Sequence, residues 1–245
     1  MARDTVDLSQ RDSLARLAYN QLRDEIISGL WKPGEKISIR QQAERFCISV
    51  TPVREAMLQL AAEQTLRLEP RSFSIPVLTK EEFLEIRKIR SALEHLLTLE
   101  AVQRPDPTLA DTLDAIHNRL IAAKQAGDFR TVMIENRRFH FTLYEKADLP
   151  QACAMVKTLW ARSGPYQHSL YLKHPAVDPA THDHLRVCRA VAVGDANEAA
   201  AAIVEDITLR GVRLEDRHYS TFDDALQSGS VWEKQRTAGA QSGYS

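Results

Sequence analysis

Cysteine is scarce in this chain, with three in 245 residues, at positions 47, 153 and 188. An odd number at no metal-like spacing argues against a disulfide framework and a thiolate metal cluster, so three reduced thiols in a cytoplasmic protein are expected. Long apolar runs are absent as well, none approaching the roughly 18 residues that cross a bilayer. The opening Met1-Ala2-Arg3-Asp4-Thr5 has no apolar stretch behind its charge, which argues against a secretory signal, and no membrane partner is expected. Neither a Gly-rich phosphate loop nor an HExxH pair occurs, which removes two common catalytic classes. Nor is there an excess of charge of one sign. Lys and Arg number 32 against 33 Asp and Glu, and residues 1–78 carry 11 against 10. Any contact with nucleic acid must therefore come from where the charges sit.

What is present falls into two textures. Residues 12–78 hold short elements separated by turn signals: Ser28-Gly29, Lys32-Pro33-Gly34-Glu35, Thr51-Pro52 and Glu69-Pro70. Leu14, Leu17, Ala18, Leu22, Ile26 and Ile27 recur at three- and four-residue steps, which predicts an amphipathic helix stopping at Gly29. A second helix is expected over 39–46, with Ala43 and Phe46 inward. A third is expected over 51–64, with Val53, Ala56, Met57, Leu60 and Ala61 inward and Pro52 in the first turn, where its missing N–H costs nothing. Alternation over 66–69 and 73–77, around Pro70-Arg71-Ser72, reads as a small β-hairpin. Helix, helix, turn, helix, hairpin is the order of a winged helix-turn-helix, assigned to residues 10–78.

From position 79 the pattern is almost wholly helical. Breaks at Arg104-Pro105-Asp106-Pro107, Ala126-Gly127-Asp128, Asp148-Leu149-Pro150, Asp178-Pro179 and Gly194-Asp195 divide it into six helices, near 79–103, 106–126, 128–147, 149–172, 178–194 and 195–219. Short connections pack neighbours antiparallel. The fold class is therefore mainly α: an N-terminal winged helix-turn-helix with a small β-hairpin and a C-terminal six-helix antiparallel bundle over 79–220. Residues 221–245 lose periodicity and are expected to form a disordered tail.

A helix-turn-helix works by presenting the first side chains of its second helix to base edges in the major groove. Here that helix opens Ser49-Val50-Thr51-Pro52-Val53-Arg54-Glu55-Ala56. The hydroxyls of Ser49 and Thr51 suit phosphate or base contacts, and Arg54, one turn in, can reach a guanine edge or a phosphate. Arg40 opens the preceding helix and Arg71 sits at the hairpin tip. Taken singly, each reads equally well as a solvated arginine or an ordinary helix cap; their convergence on one motif sets them apart. Together with Leu22-Arg23-Asp24-Glu25-Ile26-Ile27-Ser28-Gly29 and Pro33-Gly34-Glu35, that opening makes residues 15–78 resemble the GntR family of bacterial regulators. The resemblance implies DNA contacts by Arg40, Ser49, Thr51, Arg54 and Arg71. Val50 and Ser72 depart from the arginine and glycine the family often has there. Val50 can offer a thymine methyl an apolar contact but cannot grip guanine in two places, and Ser72 tolerates a positive φ less well than glycine.

In the helical half, Asn136 and His140 lie four apart on one helix face. His184 and Asp206 fall in the fifth and sixth helices. By spacing alone the signal is weak, and hydrogen-bonded core residues are the commoner reading of such positions than metal ligands. His117, His168, His174 and His182 show no partner pattern and are expected on surfaces or loops. The stretches Ile89-Arg90-Ser91-Ala92-Leu93-Glu94, Asn136-x-x-Phe139-His140, His184-Leu185-Arg186 and Gly194-Asp195-Ala196-Asn197-Glu198-Ala199-Ala200 resemble the FCD ligand-binding domain of FadR-type regulators. That resemblance implies a divalent metal bound by an Asp and three His. In this chain the positions are Asn136, His140, His184 and Asp206, with Asn in place of Asp and Asp in place of the last His. Two imidazoles, a carboxylate and an amide oxygen suit zinc, nickel or manganese.

Arg90 matches the family's arginine for a small carboxylate effector; the alternative is an intrahelical pair with Glu94. Arg162 and Tyr166 are secondary candidates for lining the same site. The expectation is thus a homodimeric transcription regulator, a repressor, on a near-palindromic double-stranded DNA operator, controlled by an organic acid bound beside the metal. Two other readings stay open. In one, the helical half serves only to dimerise, or senses ligand without metal; in the other, the two-His, one-carboxylate set belongs to a metal-dependent enzyme.

Overall fold

A computed structural model describes residues 8–70, 72–104, 106–173 and 183–215. Arg71 and the 221–245 tail lie outside the described residues. The N-terminal unit contains α1 (Leu8–Ile27), β1 (Lys36–Ile37), α2 (Ile39–Phe46), α3 (Val50–Ala62), β2 (Arg67–Leu68) and β3 (Phe73–Ser74). Ala18, Leu22 and Ile26 of α1 pack with Ala43, Val53, Ala56, Met57, Leu60, Phe73 and Ile75 in one core. The periodicity misplaced one residue, because Leu17 is exposed and Tyr19 turns inward instead, its hydroxyl donating to Glu63 Oε2 at 2.8 Å. Phe46 is half-buried at the edge of this core, under the Arg45 guanidinium.

The expected hairpin forms, and a third strand joins it. The order is β1-β3-β2, both pairings antiparallel, with Ile37 and Leu68 each opposite Phe73. Strand β1 was hidden behind the Pro33-Gly34 turn signal, which reads as a connection. Between α2 and α3 the chain turns at Cys47, whose φ of 54° closes the end of α2 in the left-handed region.

The helical half contains α4 (Lys80–Val102), α5 (Leu109–Gln125), α6 (Phe129–Tyr144), a 3-10 turn (Glu145–Ala147), α7 (Pro150–Lys173), α8 (Asp183–Val193) and α9 (Ala196–Glu215). The Asp178-Pro179 break lies outside the described residues. Helix α4 starts sharply: the Thr79 side chain accepts from the Glu82 N–H while Glu82 accepts from the Thr79 N–H. Such a reciprocal cap is worth about 1 kcal/mol. The bundle core gathers Leu97, Leu113, Ile116, Phe139, Leu143, Tyr144, Trp160, Val187 and Ile203.

The two units meet along α7. Ile27, at the end of α1, belongs to the bundle core, and Arg137 of α6 pairs with Asp24 at 2.8 Å. Tyr166 is not a site-lining residue here. Its hydroxyl accepts from the Leu78 N–H at 2.5 Å and donates to the Pro76 carbonyl at 3.2 Å, so it clasps the segment between the units. At Gly164 the backbones come so close that a Cβ would stand 2.7 Å from Ile26 O, Ile27 Cα and Ile27 O. Gly164→Ala must therefore push α1 away, and by the usual cost of overpacking it should lower stability by about 1–3 kcal/mol in urea unfolding. An unchanged midpoint would mean that α1 and α7 do not dock this closely in solution.

Candidate functional site

Two places carry the polar residues singled out by sequence. On the N-terminal unit, Ser49 caps α3 with φ −68° and ψ 160°, and Val50, Thr51 and Arg54 follow on its exposed opening turns. Arg40 is exposed at the start of α2, whose first turn is capped by the Ser38 hydroxyl accepting from Gln41 N–H. Among the described residues, neither Arg40 nor Arg54 makes an ion pair, so both guanidiniums are available to an outside anion. Pro52, Val53, Ala56 and Met57 bury the opposite face of α3, which fixes which side is presented.

Inside the bundle, all six helices send polar or aromatic groups to one point. His140 of α6, His184 of α8 and Asp206 of α9 are buried there together. His140 Nε2 lies 3.3 Å from His184 Nε2 and 3.3 Å from Asp206 Oδ2, while His184 Nε2 is 4.0 Å from Asp206 Oδ1. Phe139 stacks on the His184 ring at 3.9 Å with an interplanar angle of 1°, holding it in place. Asn136 is buried one turn before His140 on the same helix. His117 of α5, expected on the surface, is buried, with its ring edge-on to His184 at 5.8 Å. The pattern already contained the signal, since His117 follows Leu113 by four and precedes Leu120 by three, on the buried stripe of α5.

Behind the trio stands a hydrogen-bonded chain that sequence inspection missed. The Tyr144 hydroxyl lies 2.8 Å from His140 Nδ1 and donates to Glu94 Oε2 at 2.5 Å. Glu94 Oε1 accepts from Trp160 Nε1 at 3.0 Å and from Arg90 Nε at 2.7 Å. Arg90 Nη1 donates to Ser163 Oγ at 3.2 Å, and its guanidinium lies 4.4 Å from the Trp160 ring centroid. Arg90 is therefore engaged with Glu94, four residues on, as well as being buried near the trio. Burial, with the Glu94 charge beside it, pushes the Tyr144 hydroxyl well above its ordinary pKa, so the phenol keeps its proton. Arg162 is half-buried on α7.

Comparison with known proteins fixes the family. Residues 14–72 match the family described as bacterial regulatory proteins, gntR family, and residues 85–209 match the FCD domain. The HTH-type transcriptional regulator McbR of Escherichia coli K12 is 33% identical over 169 residues, covering 69% of this chain and 75% of that protein. The chain belongs to the GntR family.

Solved structures agree with that assignment. The structure described as E. coli McbR/YncC superposes with a TM-score of 0.75 at 28% identity, covering 83% of this chain and 97% of that one. The gluconate operon transcriptional repressor of Bacillus subtilis 168 is 28% identical over 165 residues, covering 67% of this chain and 66% of that protein. A GntR regulator from Rhodococcus shares the fold, with a TM-score of 0.66 at 19% identity. This GntR protein is thus a DNA-binding transcription regulator with an FCD effector-binding domain, and not an enzyme. No helix among its described residues is long and apolar enough to cross a membrane.

The Arg90–Glu94 pair makes a stability prediction. Glu94→Leu leaves a buried guanidinium without its carboxylate, a change that costs about 3–5 kcal/mol. The double variant Arg90→Met, Glu94→Leu should recover part of that loss in chemical denaturation. Equal stability of wild type and Glu94→Leu would show that the pair does not form.

Proposed function

We propose that this regulator is a repressor that binds a near-palindromic operator as a homodimer and is controlled by a small carboxylate bound beside a divalent metal. His140, His184 and Asp206 would hold the metal, with Asn136 as the fourth ligand. The observation that carries this reading is the spacing of the buried trio. Bonds of about 2.0–2.1 Å to a tetrahedral zinc place neighbouring ligand atoms roughly 3.3 Å apart. The two Nε2 atoms are 3.3 Å apart, as are His140 Nε2 and Asp206 Oδ2, and the third side, from His184 Nε2 to Asp206 Oδ1, is wider at 4.0 Å. When bound, the ion would offer a carboxylate oxygen a fifth position beyond its four protein ligands, and so act as a Lewis acid toward it.

Arg90 is the candidate for the effector's carboxylate. Its Nε and Nη1 bond Glu94 and Ser163, so an incoming carboxylate would compete with Glu94 for the guanidinium. Ser163 and Gly164 are neighbours on α7, and Tyr166 lies two residues on. A shift in the Arg90–Ser163 contact would therefore act on the helix that docks α1 and clasps the linker. The route runs through α7 as well as through α4, the helix that adjoins the linker in sequence.

At the DNA, Arg40, Ser49, Thr51 and Arg54 are the proposed contacts, joined by Arg71, which lies outside the described residues. Exposure of the first four, at the openings of α2 and α3, supports them. A homodimer is supported by exposed Ile89 and Leu96, seven residues apart on α4. Repression is supported by the relatives named as repressors, the gluconate operon repressor among them.

Metal content tests the reading. Purified wild-type protein should carry, or take up on adding zinc, nickel or manganese, about one ion per chain by mass spectrometry. The His140→Ala, His184→Ala double variant should carry none. Wild type that stays metal-free after such additions would leave a metal-free sensor or a plain dimerisation domain.

A further inference from the structure

The hydrogen-bonded chain behind the trio has a direction, and the direction decides the protonation pattern of His140. A phenol has one proton to donate. Tyr144 stands between two partners, Glu94 Oε2 at 2.5 Å and His140 Nδ1 at 2.8 Å. Glu94 Oε1 already accepts from Arg90 Nε and Trp160 Nε1, both groups that can only donate. Arg90 and Glu94 form a buried ion pair at 2.7 Å, in which Glu94 is the carboxylate. An ionised Glu94 can only accept, so the Tyr144 proton goes to Oε2. The hydroxyl oxygen is then left as an acceptor, and His140 Nδ1 must be the donor.

We infer that Tyr144, backed by Glu94, is a positioning residue that keeps a proton on His140 Nδ1 and so presents Nε2, the nitrogen a metal can take, to His184 and Asp206. An imidazole ligates a metal only through an unprotonated nitrogen, and the hydrogen bond of the other nitrogen sets which one that is. The rings around His140 keep it from turning over: Trp160 lies 5.0 Å away and Phe139 5.8 Å away, centroid to centroid. Tyr144 is one helical turn beyond His140, so α6 carries both the ligand and the group that prepares it. The proton on Nδ1 follows from the hydrogen bonds alone; its use in preparing a ligand rests on the metal-site reading above.

The test uses metal-free, EDTA-treated full-length protein with 15N-labelled histidine. Long-range proton–nitrogen correlations report which ring nitrogen carries the proton. Wild-type His140 should carry a proton on Nδ1. Tyr144→Phe, which keeps the ring and removes only the hydroxyl, should shift His140 toward Nε2–H. In competition with a chromophoric chelator, zinc should bind Tyr144→Phe about 10–100-fold more weakly than wild type. Wild-type His140 without a proton on Nδ1 would overturn the inference, whatever becomes of the variant. So would a folded Tyr144→Phe with an unchanged tautomer. Wild type that shows the Nδ1–H tautomer yet binds no zinc would overturn the metal-site reading alone and leave the hold of Tyr144 on His140 standing.

Discussion

The helical half is organised around one buried carboxylate. Glu94 is fully buried and accepts from Arg90 on its own helix, Trp160 on α7 and Tyr144 on α6. A buried charge is tolerable only when its lone pairs are met and a counter-charge stands close. Meeting those demands draws three helices to one point and orients the side chains they carry. Arg90 is turned toward Ser163, and Tyr144 toward His140. The arrangement of the candidate metal site follows from the way Glu94 is satisfied.

The same network lies beside the seam between the two units. Along α7, Trp160 and Ser163 face Glu94 and Arg90, Gly164 lies against the end of α1, and Tyr166 holds Pro76 and Leu78. Four residues within one seven-residue stretch of α7 thus touch the sensor interior, the reading unit and the linker. Coupling between sites needs an element that both can bias, and α7 has that position. Ile27 extends the connection, since it ends the first helix of the reading unit yet packs in the bundle core.

Much of this was legible in the amino-acid order, for identifiable reasons. Pro52 behind Thr51, the Gly and Asp-Pro punctuation and the four-residue step from Asn136 to His140 are local signals, and local geometry honours them. Strand β1 was not legible, because two residues behind a Pro-Gly turn carry too little pattern. His117 was misjudged despite a sufficient signal: its neighbours Leu113 and Leu120 line the buried stripe. Glu94 was noticed only as a partner for Arg90. Its bonds to Tyr144 and Trp160 join residues 50 and 66 positions apart, which no helical period can relate. The tautomer of His140 was beyond reach for the same reason, since it depends on that long-range chain.

The most direct test of the account is operator affinity as the bundle site fills. DNA selected for binding to the wild-type protein would be titrated with wild type and with Tyr166→Phe, each with and without saturating zinc and a panel of small dicarboxylates. Filling the site should weaken wild-type binding by at least about fivefold, a typical coupling between sites. In Tyr166→Phe, which loses the clasp on Leu78 and Pro76, the effect should shrink toward none. A filled site that leaves wild-type affinity unchanged, or an equal shift in both proteins, would contradict the account.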